Sequence, residues 1–132
     1  MDRSQFIHLV SDEYNVVGEY LWVKYPNYCV FRHPLSRKWF AIVMDVERRK
    51  LGLKGTGVLD VVNLKCDPLL IGSLRKEDGI FPAYHMSKSS WVSVALNDCV
   101  SDEKVRFLLS MSFEATAPAK RMMKGQVKKE QW

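Results

Sequence analysis

Tyr28-Cys29-Val30-Phe31-Arg32-His33-Pro34-Leu35-Ser36-Arg37-Lys38-Trp39-Phe40-Ala41-Ile42-Val43-Met44-Asp45 is the stretch that decides the fold. Both of its ends are rich in β-branched and aromatic side chains, which predicts strands over 28–33 and 38–45. The segment His33-Pro34-Leu35-Ser36-Arg37 between them reads as a hairpin loop, because proline removes a ladder donor and stops the first strand. The fold therefore grows from a β-hairpin.

On the C-terminal side, Leu51-Gly52-Leu53-Lys54-Gly55-Thr56-Gly57 is a glycine-rich connection and Val58 to Lys65 a third strand. Asp67-Pro68 opens a helix: Asp can cap, and Pro suits the first helical position, where its missing N–H would be unsatisfied anyway. Leu70, Ile71 and Leu74 supply its buried face, Arg75 and Lys76 sit near its negative end, and Gly79 stops it. A fourth strand runs from Trp91 to Leu96, with Val92, Val94 and Leu96 facing one way and Trp91, Ser93 and Ala95 the other. Ser101 caps a last helix whose buried stripe is Val105, Leu108, Leu109 and Phe113.

On the N-terminal side, Phe6, Ile7, Val10 and Tyr14 share one face of a helix over 3–14, Gly18 lies beyond its end, and Pro26 marks a turn. This order predicts an α+β fold of two layers, a single antiparallel sheet of four to five strands with helices on one face. The length, 132 residues, fits one domain. We place that domain at 1–117 and read 118–132 as a basic, polar tail, frayed or appended.

The composition, 47% hydrophobic and 11% aromatic, is that of a folded domain. No apolar run approaches the roughly 20 residues that span a bilayer, and the N-terminus opens no secretory apolar region, so the expectation is a monomer in the cytosol away from membranes. Cys29, Cys66 and Cys99 form no C-x-x-C and have no histidine at zinc-ligand spacing; they read as reduced, mostly buried residues.

The net charge is +5, and it is focused. Residues 32–54 carry seven basic side chains against Asp45 and Glu47, and 114–132 carry five against two. A focused patch suits phosphate binding, which makes Arg32, Arg37, Lys38, Arg48, Arg49 and Lys54 the nucleic-acid candidates. The glycine cluster at 52–57 is no phosphate loop, because a strand follows it and no Lys-Ser/Thr pair opens a helix. No G-x-S-x-G is present and no acidic cluster has metal-ligand spacing, so no catalytic residue, metal or cofactor is assigned. A last group, Asn63, Lys65, His85, Lys88 and Trp91, brings a cation and an indole together if strands three and four are neighbours.

At these residues the chain resembles the MmcQ/YjbR family. The resemblance runs from about residue 18 to 113. It is carried by Tyr25-Pro26-Asn27-Tyr28-Cys29-Val30-Phe31-Arg32, by Arg37-Lys38-Trp39-Phe40-Ala41, by Asn63-Leu64-Lys65-Cys66-Asp67-Pro68, and by Gly79-Ile80-Phe81-Pro82-Ala83-Tyr84-His85-Met86 leading to Trp91. It implies a two-layer α/β fold resembling secretion chaperones and described as a double-wing DNA-binding motif. Lys65, His85, Lys88 and Trp91 match the family pattern. Ser87 stands where the pattern usually has Asn, and Ser90 where it has His.

Three functions follow as expectations. The first is a non-enzymatic DNA-binding module, with the 33–38 loop and the 48–54 connection as wings on the phosphate backbone. The second is a protein-interaction or chaperone-like module using Trp22, Tyr25 and Tyr84. The third is a small-ligand or enzyme site around Lys65, His85 and Trp91.

Overall fold

The computed structural model describes residues 1–119. Most of the basic tail read at 118–132 thus lies outside the described residues. The elements are α1 (Arg3–Tyr14), β1 (Cys29–Arg32), β2 (Trp39–Glu47), a 3-10 turn (Arg48–Leu51), β3 (Val58–Lys65), α2 (Pro68–Leu74), β4 (Ile80–Pro82), β5 (Trp91–Ala95) and α3 (Asp102–Ala115). The strands form one antiparallel sheet in the order β1-β2-β3-β5-β4. The α+β expectation holds, with five strands and the helices on one face.

The helix ends follow from short polar side chains. Asp2 caps α1 by accepting from Gln5 N–H, and the Gln5 side chain accepts from Asp2 N–H in return, a capping box. Asp67 accepts from Leu69 N–H with Pro68 at the first helical position, and Ser101 accepts from Lys104 N–H. The second helix is shorter than its sequence suggests. It ends at Leu74 with Arg75 as its C-cap, so Lys76 lies past its end and Gly79, at φ 85°, turns the chain into β4.

β4 has no counterpart among the strands predicted individually. It is three residues long and contains Pro82, and its register is set by β5, through Ile80↔Val94 and Phe81↔Ser93. Cys29 and Cys66 are buried, but Cys99 is exposed, against the expectation for it.

Alternation sends the strand side chains to two different environments. On the helix-covered face, Phe31, Phe40, Val43, Val62, Leu64, Val92 and Val94 pack with Phe6, Val10, Ile71, Leu74, Val105, Leu108 and Leu109. On the opposite face, Val30, Ile42, Met44, Val61, Trp91 and Ala95 are covered by loop residues, among them Trp22, Tyr28 and Tyr84. β2 keeps Phe40 and Ala41 on the helix side in succession. The β1–β2 register shifts there, the ladder to β3 ends at Ala41↔Leu64, and Ser112 of α3 bridges the next pair: its Oγ accepts from Lys65 N–H at 2.9 Å and donates to the Phe40 carbonyl. This bond fixes the ends of β2 and β3 that carry Trp39 and Lys65.

Candidate functional site

The chain after α1 crosses the sheet edge to reach the loop-covered face. Asn15 ends α1 in the left-handed region at φ 55°. Gly18 then passes so close to Cys29 and Phe31 that a Cβ there would collide with Cys29 Sγ. Glu19 exchanges backbone hydrogen bonds with Val30 at 2.8 and 2.9 Å, closing the free edge of β1. Beyond the crossing, Trp22 packs edge-on to Tyr28 and to Trp39, each with centroids 5.8 Å apart, and Tyr25 stacks on Tyr28 at 4.8 Å.

A second loop, 83–90, is fastened from below. Asn63 and Ser93 are cross-strand partners with no exposed surface. Ser93 Oγ donates to Asn63 Oδ1 and accepts from Tyr84 N–H at 2.9 Å; Asn63 Nδ2 donates to the Tyr84 carbonyl at 2.8 Å. Each of the three residues is hydrogen-bonded to another of the group, as a buried polar network requires. It holds both backbone groups of Tyr84. Lys88 Nζ closes the same loop by donating to the Ala83 carbonyl at 2.9 Å. His85 takes a positive φ of 63°, and its ring lies 4.0 Å from that of Tyr84.

The two loops leave a cleft of about 220 Å³ between them. Trp22, Tyr25, Tyr28, Trp39 and Tyr84 wall it; Ile42 and Met44 of β2 line its base, with His85 and Met86 beside them. Burial, then the neighbouring Tyr84 and Asp45, pushes the Tyr28 phenol above its ordinary range, so it is neutral at physiological pH. The lining binds by contact and ring stacking.

A cation packs on the Trp39 wall but stands outside the residues that line the cleft. Arg32 lies over the Trp39 ring with its guanidinium carbon 5.8 Å from the centroid. Only its Nε is engaged, donating to the two Glu19 carboxylate oxygens at 3.3 and 3.1 Å; neither Nη forms a hydrogen bond among the described residues. Lys65 ends β3 opposite Trp91, so the cation and the indole foreseen from the sequence are cross-strand neighbours. Among the described residues no ion pair holds the Lys65 ammonium.

The six cations expected to form one patch are divided. Arg32, Arg37 and Lys38 lie at the start of β2, whereas Arg48, Arg49 and Lys54 lie beyond its far end. Nine residues of strand separate them, roughly 25–30 Å at about 3.3 Å per residue. Several are also occupied. Arg37 is 3.8 Å from Glu19, Arg49 donates to Glu47 at 2.9 Å, and Arg48 Nε donates to the Lys54 carbonyl. The Glu47 carboxyl is held below its usual range chiefly by the Arg49 hydrogen bond. The strand read at 38–45 runs through the middle of this charge and carries its two halves apart.

The two other histidines lie apart from the cleft. His8 is exposed and 3.0 Å from Asp12. His33 is 3% exposed, stacks on Phe113 at 4.2 Å, and accepts from Leu35 N–H through Nδ1. Among the described residues no cluster of three or more His, Cys, Asp or Glu side chains has metal-binding geometry, and no helix is long and apolar enough to cross a membrane.

Comparison with known proteins assigns the scaffold. The YjbR family profile matches residues 13–115. An uncharacterized Bacillus subtilis protein, YyaQ, is 37% identical over 116 residues, covering 88% of this chain and 98% of its own. A crystal structure of a Pseudomonas syringae protein superposes with a TM-score of 0.87 at 42% identity, covering 89% of this chain and all of the other. A Deinococcus radiodurans protein with the DUF419 domain shares the fold, with a TM-score of 0.69 at 21% identity over 99% of this chain and 91% of its own. Three of the sequence blocks read as family-like supply Tyr25, Tyr28, Trp39, Tyr84 and His85 to one cleft, and the profile spans all of them: the chain belongs to the YjbR family.

Proposed function

We propose that this protein acts by binding rather than by catalysis, and that it binds on the loop-covered face of its sheet. The observation that carries this reading is the convergence of five aromatic rings from separate segments on one cleft. Trp22, Tyr25 and Tyr84, on which an interaction surface was expected, all lie on it. Rings, thioethers and an aliphatic side chain take up an apolar or aromatic group by contact; His85 is the one imidazole in the lining, and its ring packs on Tyr84. Ligand-detected NMR with a set of small aromatic fragments tests the reading. Fragments that bind the native chain are expected to lose binding to Trp22→Ala, and undiminished binding to that variant contradicts it.

The DNA-binding reading rests on a different observation. The 33–38 loop and the 48–54 connection project from opposite ends of β2, roughly 25–30 Å apart at about 3.3 Å per residue. Two wings so spaced would grip the phosphate backbone with little sequence preference. Four to six phosphate contacts give a log–log salt slope of roughly −4 to −5 on generic duplex DNA. Absence of binding at about 50 mM salt ends this second reading.

A further inference from the structure

We propose that the cleft is a cage for a trimethylammonium head group, seated in the near right-angled corners that Trp22 makes with Tyr28 and with Trp39. The inference rests on the cleft being the binding surface, and it names the chemistry of what enters.

Geometry comes first. Trp22 stands at 75° to Tyr28 and at 83° to Trp39, each with centroids 5.8 Å apart. A ring set edge-on against another leaves a corner beside the contact, bounded by one face of each. All three rings line the cleft, and Tyr25 and Tyr84 line it with them. A flat guest lies on one such face, whereas a compact tetrahedral group touches both at once. Size agrees: about 220 Å³ lies below the roughly 300–1,000 Å³ of sites for drug-sized molecules, so the cleft suits a head group rather than a large ligand.

The charge of the guest follows from the lining itself. Ring faces carry the negative part of the aromatic quadrupole, so several faces around one point attract a cation. The lining contains no arginine or lysine to repel a cation, and no aspartate or glutamate to pair with one. The missing carboxylate selects the kind of cation. A primary ammonium is strongly hydrated and needs hydrogen-bond acceptors when it leaves water. A quaternary ammonium has no N–H to satisfy and presents methyl groups to the rings, and Ile42, Met44 and Met86 add apolar contact for those methyls. Arg32 packs on Trp39 but lies outside the lining, and its charge is paired with Glu19 at 3.1 Å. The Tyr28 phenol is pushed up by burial first, then by Tyr84 and the Asp45 carboxylate, a negative field that also favours a cation beside it.

The test is a matched set in which shape and charge are varied separately. Choline, its neutral analogue with carbon in place of nitrogen, and ethanolamine are titrated into the full chain, with the tryptophan indole N–H resonances followed by NMR. Choline is expected to bind about tenfold more tightly than the neutral analogue, the scale of a desolvated cation–π contact, with ethanolamine weakest. Trp22→Leu keeps an apolar wall and removes its ring face. There the choline advantage should fall to about twofold or less while the neutral analogue binds as before. Equal affinities of choline and its neutral analogue in the native chain, or an advantage undiminished in Trp22→Leu, overturn the cation assignment and leave the cleft as a binding surface. Silence toward choline while aromatic fragments bind has the same consequence. If neither choline nor those fragments shift the Trp22 and Trp39 resonances, both readings fall. Acetylated trimethyllysine amide carries the same head group as choline; the tighter of the two names its source, a modified side chain or a small molecule, and either result supports the cage.

Discussion

The two faces of this sheet are both buried, but by different means. The helix-covered face is closed by aliphatic and phenyl side chains from three helices, packed as an ordinary interior. The loop-covered face is closed by irregular segments, two of them held by one edge crossing at Gly18 and Glu19 and by the polar group Asn63–Ser93–Tyr84, with Leu51 and Leu53 of the connection after β2 packing beside them. Loops fastened at a few points cannot fill the space over a sheet as densely as helices do, and the remainder is the aromatic cleft. Stability is thus concentrated on one face and the binding we propose on the other, a division that single substitutions can break or sharpen.

The largest loss should come from the helix side. Phe40 has no exposed surface and packs against Tyr14, Phe31 and Phe113, so Phe40→Ala is expected to cost about 3–5 kcal/mol in urea unfolding. Next is the fastening of the loop-covered face. Ser93→Ala leaves the Tyr84 N–H and one Asn63 lone pair without their partner, at about 1–3 kcal/mol. Hydrogen exchange at Tyr84 should accelerate more than at strand amides bordering α3.

Acid should act on the helix side first. Desolvation lowers the folded-state His33 pKa below its ordinary value, with a smaller opposing effect from Glu114. The unfolded chain therefore takes up this proton first as pH falls. The stabilising contribution is complete above about pH 6.5 and is lost below it. Urea midpoints measured from pH 7.5 down to 5 check this, and the slope should flatten in His33→Gln. The smallest change in stability belongs to the cleft rim: Tyr25 is 48% exposed, so Tyr25→Ala should stay within about 0.5 kcal/mol of the native chain. The same change should weaken binding of an aromatic fragment to the cleft about tenfold, the scale of one lost stacking partner.

Much of the scaffold was legible in the sequence because it depends on local signals. Asp67-Pro68 and Ser101 mark helix starts by capping chemistry, and alternation in 91–96 assigned Trp91 and Val92 to opposite faces correctly. The pairing of Lys65 with Trp91 followed once β3 and β5 were neighbours. What stayed hidden is non-local. β4 is too short to carry its own pattern and exists through β5. The charge at 32–54 looked like one patch because a count of charges ignores geometry, although the strand read at 38–45 already lay inside it. Ser112 reads as a helix-stripe interruption until Phe40 and Lys65 are seen beside it. Trp22 reaches the cleft only because Gly18 lets the chain cross the edge of β1, an approach that no window of sequence displays.

The division of labour between the faces is tested most directly by mapping a neutral aromatic fragment, naphthamide, on the isotope-labelled chain by NMR. Shifts confined to Trp22, Tyr25, Trp39 and the 84–86 segment, with α3 silent, are the predicted result. Shifts centred on α3 or on Arg48, Arg49 and Lys54, with the cleft unmoved, would contradict it.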